Sequence, residues 1–261
     1  LKKAVNGTVS SIRKPMLEEF KIPIVPLQIQ NEIVRTLDIF NNLIFELNKE
    51  LINRKKQFNY YLNKLINSLN YPYLRLDDYA LVYDGTHNTP EYKEYGVKFI
   101  SVENIKDIYG TTKYISNESF NTFKIKPKIG DVFMTRIGDV GTPAVMTKND
   151  DLAYYVSLAL IRPNDKLLSK FLYFYIKSSA FKKELNKFIL HNAVPIKINK
   201  CDIGKCKIIV PSINEQQKII NLLETFDTYC CDIAHGLPAE IELRKKQYEY
   251  YRNKLLTFKE L

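Results

Sequence analysis

The stretch DGTHNTPEYK, from Asp84 to Lys93, gathers Thr86, His87, Asn88, Thr89, Tyr92 and Lys93 in one polar loop. Such side chains donate and accept hydrogen bonds to flat polar edges, the chemistry by which nucleobases are read. The competing reading is an ordinary Gly/Asn/Pro turn. Arg136 precedes Gly138 at a strand end, where a guanidinium can pair bidentately with guanine; its alternative is a surface ion pair. Lys182, Lys183, Lys187, His191 and Asn192 lie on or just after a basic helical stretch and suit phosphate or a groove wall, unless that stretch is only a solvated face.

Other chemistry lacks its usual pattern. The cysteines at 201, 206, 230 and 231 show neither C-x-x-C spacing nor nearby histidines, so they read as reduced, buried or neutral thiols and not as a zinc site. The histidines at 87, 191 and 235 form no H-E-x-x-H pattern, and neither a P-loop nor a strand-linked G-x-G-x-x-G occurs. The pairs Asp77 with Asp78 and Asp150 with Asp151 read as turn and cap residues. The expectation is a chain that binds and does not react, with no metal of its own.

The 261 residues carry 39 Lys and Arg against 29 Asp and Glu, a formal charge of +10 that favours a polyanionic partner. From Lys166 to Lys200 eight lysines face one acid, Glu184, which concentrates the excess. With 45% hydrophobic residues the chain can build a core, which argues against disorder. Apolar runs such as Phe171 to Ile176 fall far short of the about 20 residues of a membrane helix, and a cytoplasmic location without membrane contact is the expectation.

The positioning elements emerge from an internal repeat. KIPIVPLQIQNEIVRTLDIF at Lys21 to Phe40 lines up with KIIVPSINEQQKIINLLETF at Lys207 to Phe226 at an offset of 186. RKKQFNYYLNKL at Arg54 to Leu65 then matches RKKQYEYYRNKL at Arg244 to Leu255 at an offset of 190, so the second copy carries four extra residues. Each copy starts as a Pro-punctuated β-rich segment and continues with a heptad stripe. In the first copy the seam is Ile33, Leu37, Phe40, Ile44, Leu47, Leu51, Arg54, Phe58, Tyr61 and Leu65. That is about 50 Å of helix without Gly or Pro, which points to a coiled coil. The second copy gives Ile219, Leu223, Phe226, Cys230, Ile233 and Leu237, then Ile241, Arg244, Tyr248, Tyr251 and Leu255. Its insertion lies between Leu237 and Ile241, where Gly236 and Pro238 predict a kink or break. Arg54 and Arg244 hold equivalent seam positions, as a polar layer or as side chains snorkelling to the edge.

Between the helices, Tyr71 to Cys206 is long enough for a full domain of α/β or α+β type. Val97 to Val102, Asp131 to Arg136, Ala144 to Thr147 and Tyr154 to Arg162 read as strands, and Ser169 to Ile189 as a helix. Asn6 to Val25 matches Asn192 to Pro211 under the first offset, so residues 1–26 read as the tail of another such domain, and the chain as one that begins inside it.

The I-P-x-x-P segment, the RKKQ-aromatic helices, P-x-x-x-EQ-x-x-I-I at Pro211 to Ile220 and the closing GLPAEIELRKKQYEYYRNKLL together resemble the specificity subunit, HsdS, of type I restriction-modification systems. The resemblance covers nearly the whole chain. GDVFMTRIGDVG and HNAVPIKINKCDIGKCKIIVP are similar to that family's target recognition domain.

The resemblance implies a recognition domain at 70–206, spacer helices at 27–69 and 207–261 forming an antiparallel coiled coil, and a domain tail at 1–26. It implies double-stranded DNA as partner, together with methyltransferase (modification) subunits and a restriction-translocase subunit. S-adenosylmethionine, ATP and Mg2+ would then belong to those subunits. A full family member carries two recognition domains; this sequence carries one, which implies a truncated subunit or a half-subunit that pairs with a second specificity chain. Two further classes stay open: a non-catalytic coiled-coil adaptor for nucleic acid, and an enzyme with an unrecognised site.

Overall fold

The computed structural model describes residues 14–18, 22–231 and 236–258, without the side chains of Met16 and Cys231. Most of the tail read at 1–26, the seam residue Ile233 and His235 lie outside the described residues. In chain order the elements are α1 (Lys14–Glu18), α2 (Leu27–Asn67), β1 (Tyr73–Arg75), β2 (Ala80–Asp84), β3 (Val97–Ile100), β4 (Tyr114–Ile115), α3 (Asn117–Asn121), β5 (Val132–Ile137), β6 (Asp139–Val145), β7 (Leu152–Tyr154), β8 (Leu158–Pro163), α4 (Ser169–Lys177), α5 (Ser179–Asn186), α6 (Lys200–Lys205), β9 (Lys207–Ile209), α7 (Ile213–Cys231) and α8 (Leu237–Leu256). They form two compact units, one drawn from residues 1–52 and 232–261, the other from 53–231. α2 contributes its first part to the former and its last part to the latter.

In the larger unit a four-stranded antiparallel sheet, ordered β2-β8-β5-β6, is apolar on both faces. Alternation along each strand divides the side chains between two cores. Val132, Met134, Ala159 and Ile161 meet Phe171, Leu172 and Tyr175 of α4, Ile203 of α6, and Ile219, Ile220 and Leu223 of α7. Phe133, Leu158 and Leu160 point the other way, onto Ile100, Ile105, Leu152 and Tyr154. There β4-β3-β7 forms a second sheet in which β3 and β7 run parallel. β1 and β9 pair as a separate two-stranded ribbon.

Phe58, Leu62 and Ile66 at the end of α2 are buried in the first core, with the Phe58 and Phe174 ring centroids 6.2 Å apart. Each such side chain contributes about 1.5–3 kcal/mol on burial. The buried stripe here departs from the predicted seam through Tyr61 and Leu65, since Leu62 and Ile66 are buried in their place; the exposed Tyr61 keeps a ring contact with another seam residue, Phe226, at 5.9 Å between centroids, and Leu65 packs half-buried against the core. The reason is the spacing of four that a straight helix follows when it packs on a globular unit, where a supercoil would alternate three and four. Further back, Ile33, Leu37, Phe40, Ile44, Leu47, Leu51 and Arg54 keep the expected spacing and are all half-buried.

The helix expected over Ser169 to Ile189 is two helices. Ser178 sits between them with an extended backbone, and its hydroxyl accepts from the Phe181 N–H at 3.3 Å, capping α5. The expected strand from Tyr154 to Arg162 is likewise interrupted at 155–157, between β7 and β8. The break predicted near Gly236 and Pro238 is present as the start of α8, with Gly236 extended and Pro238 in the first turn, where its missing N–H costs nothing.

Candidate nucleic-acid interface

β2 ends at Asp84, and Gly85 begins the polar loop. A Cβ on Gly85 would lie 2.5 Å from the Tyr154 oxygen and from the Tyr155 carbonyl group, so this close approach admits only glycine. Thr86 N donates to Tyr154 O at 3.0 Å and Thr86 O accepts from Val156 N at 2.9 Å, which fastens the loop root to the β7 end. The Thr86 hydroxyl then organises the turn through the N–H of Asn88 at 3.3 Å. His87, Asn88 and Thr89 are exposed beyond it. Tyr92 and Lys93 are pinned elsewhere: the Tyr92 ring stands 5.8 Å from Phe99, and Lys93 N donates to Tyr114 O at 2.9 Å. The Lys93 ammonium pairs with Glu91 at 2.6 Å.

Arg136 is placed differently from the expectation of a guanidinium offered to guanine. It is 7% exposed, and its Nη1 donates to Asp84. A buried side chain with a carboxylate partner does not reach a base edge without leaving both. Its carbonyl accepts from Ile198 N at 3.0 Å, and Gly138 N donates to Ile196 O at 2.8 Å. Leu190 N donates to Lys197 O at 2.8 Å, closing the segment 190–198 into a loop beside the β5–β6 turn. That loop presents His191, Asn192, Lys197 and the almost fully exposed Val194.

Lys182 and Lys183 are exposed on α5, and Lys187 caps its end while pairing with Glu184. α5 approaches β6 at Gly141, where φ is +97° and a Cβ would lie 2.8 Å from Leu185 Cδ1. The structure thus brings Thr86 to Asn88, His191, Asn192 and the α5 end around one end of the larger sheet, and sets Tyr92 and Lys93 on the smaller one. Sequence reasoning passed over Asp84 and Lys197. Asp84 lies 52 positions from its partner, a separation without a motif, whereas Lys197 stood in a lysine run that carried no further signal.

Several other ionisable groups are tied into the fold. Asp131 in the GDV motif is almost fully buried and accepts two bonds from Arg162, Nε at 2.8 Å and Nη2 at 2.7 Å. Burial pushes the Cys206 thiol up to about 12, so it is protonated and inert. Arg54 and Arg244 make the same bond, to Gln57 at 2.9 Å and Gln247 at 2.8 Å, so the first and last residues of each RKKQ are paired alike. Among the described residues no group of three or more His, Cys, Asp or Glu is placed to hold a metal, and no helix is long and apolar enough to cross a membrane.

The family profile described as "Type I restriction modification DNA specificity domain" matches residues 1–57 and 52–243. The specificity subunit of the Escherichia coli type I restriction enzymes EcoR124I/EcoR124II is 35% identical over 244 residues, covering 89% of this chain and 60% of that one. A putative type I specificity subunit of Mycoplasma pneumoniae is 30% identical over 282 residues, covering 90% and 92%. Among solved structures, the S subunit of a type I restriction-modification system from M. genitalium superposes with a TM-score of 0.64 at 16% identity, over 98% of this chain and 68% of that one. The chain therefore spans about 60% of the Escherichia coli relative's length. With the profile covering nearly all of it, the chain belongs to the type I restriction modification DNA specificity family.

Proposed function

We propose that this chain is a DNA-sequence-specificity subunit of a type I restriction-modification complex, in which residues 70–206 read part of a duplex site and the helical segments 27–69 and 207–261 scaffold methyltransferase subunits. The observation that carries the reading is the convergence of the polar loop 86–89 and the loop 190–198, which presents His191, Asn192 and Lys197, with the basic α5 at one end of the larger sheet. Cations that hold phosphate and side chains that reach base edges are the two contacts duplex recognition needs.

Pairing of the helices is supported within the smaller unit. The Phe40 and Tyr251 rings stack with centroids 5.2 Å apart. Ile33 and Thr36 line a groove with Leu255. Moving back along α2 from Phe40 to Ile33 thus moves forward along α8 from Tyr251 to Leu255, the sense of an antiparallel pair. Residues 70–206 would read one half of a split site, whose other half a second recognition domain reads in a full family member. S-adenosylmethionine, ATP and Mg2+ are assigned to the modification and restriction subunits, and the complex to the cytoplasm.

The test is methyl transfer in a defined mixture. The chain alone transfers no methyl group, and with its methyltransferase subunit it directs methylation to one sequence. Methylation by the chain alone, or equal methylation of unrelated sequences by the mixture, overturns the proposal. Preference for single strands over duplex would favour the adaptor reading instead.

A further inference from the structure

We propose that Arg136 is a positioning residue for base readout: its side chain, through Asp84, holds the 86–89 loop in place relative to the 190–198 loop, which is bonded to the main chain at the same position. The inference rests on the duplex-binding reading above and names the residue that sets the two loops in register with each other.

Three features of the site point to it. The guanidinium reaches across β8 from β5 to the last residue of β2, immediately before the loop. Those strands are already joined through β8 by backbone hydrogen bonds, so the ion pair is not what assembles the sheet. It fixes the place where the loop leaves it. Asp84 then divides its oxygens: Oδ1 takes Arg136, while Oδ2 lies 3.9 Å from His87 Nε2, so the pair reaches the exposed imidazole. Gly85 lies against the Tyr154 and Tyr155 backbone and Thr86 is bonded to it, so the loop leaves the sheet at one place, with the Asp84 carboxylate directly beneath His87.

The third feature is cost. Arg136 Nε is buried without a hydrogen-bond partner among the described residues. A buried ion pair with a donor left over adds little net stability, since exchanging the whole pair for apolar side chains is often neutral or stabilising. Such a residue is retained where geometry matters more than stability. Base contacts demand placement within about 0.5 Å, which two loops rooted in separate strands meet only if their roots are tied.

The experiment selects bound sequences from a pool of duplexes with a randomised centre, using the full chain and its Arg136→Met, Arg136→Lys and Asp84→Asn variants. Asp84→Asn and Arg136→Met are expected to flatten the selected motif and lower the ratio of specific to random binding about tenfold. Affinity for random duplex and its salt dependence stay at the wild-type value, because the phosphate contacts are elsewhere. Arg136→Lys, which keeps a charge for Asp84, restores part of the motif. Should Arg136→Met not fold, the near-isosteric Asp84→Asn carries the test. Variants that select the wild-type motif at the wild-type ratio, with only the active fraction reduced, overturn the positioning role and leave the duplex-binding reading standing. A wild-type chain that selects no motif overturns both.

Discussion

Gln216 and Gln30, 186 positions apart, donate the same hydrogen bond: each Nε2 reaches the main-chain oxygen five residues earlier, Pro211 at 2.9 Å and Val25 at 2.7 Å. The repeat therefore preserves a local bond that shapes the turn into each long helix. The surroundings differ. Gln216 is fully buried and also accepts from Leu168 N and donates to Lys166 O, both at 2.8 Å, whereas Gln30 is exposed.

Gln216→Ala should therefore destabilise the larger unit by about 2–3 kcal/mol, since it strands a buried N–H and two carbonyls. Gln30→Ala should cost less than about 0.5 kcal/mol. Urea denaturation of the two variants checks the contrast, and equal effects would contradict the burial difference.

Much of this was legible in the residues. The repeat located α2, α7 and α8, because heptad spacing constrains a long helix whatever it packs on, uninterrupted by Gly or Pro in the first copy and broken at Gly236 and Pro238 in the second. The direction in which α2 turns its last apolar residues was not legible, since Phe58 fits both a seam through Tyr61 and a stripe through Leu62. Only the presence of a core beside Leu62 decides between them. The loops show the same division. Composition singled out Thr86 to Thr89, but spacing could not choose between base contact and ion pair for Arg136, because its partner Asp84 is joined to it by sheet order.

The stacked rings of Phe40 and Tyr251 make the helix pairing measurable. A double-mutant cycle with Phe40→Ala and Tyr251→Ala should give a coupling of about 0.5–1.5 kcal/mol in thermal or urea unfolding. Additive effects within error would show that the two helices do not meet there.

Lys182 and Lys183 are exposed on α5 and are expected to hold phosphate. Replacing both with Ala should weaken binding to every duplex sequence alike and reduce the slope of log affinity against log salt by about 1.8. Titrations at several salt concentrations read both quantities. A loss confined to one sequence would move these lysines from phosphate to base contact.

Cys201 is exposed and Cys206 buried, with its thiol pushed up to about 12. At pH 8 an alkylating reagent should label Cys201 within minutes and leave Cys206 unmodified until the protein is denatured. The Cys206 thiolate is scarce at every pH below its raised pKa, so moving from pH 7 to pH 9 should not change this. Peptide mass mapping checks it, and early labelling of Cys206 would place that thiol outside the core.

The central claim is that the loop beyond Asp84 helps choose the DNA sequence on which partner subunits act. Its most direct test is a sequence-resolved map of methylated DNA made by the complex assembled with the wild-type chain or with a His87→Ala, Asn88→Ala double variant. The double variant is expected to give a motif relaxed at one or two positions, with about 1–3 kcal/mol less discrimination there and methylation still dependent on the chain. An unchanged motif with undiminished discrimination would contradict it.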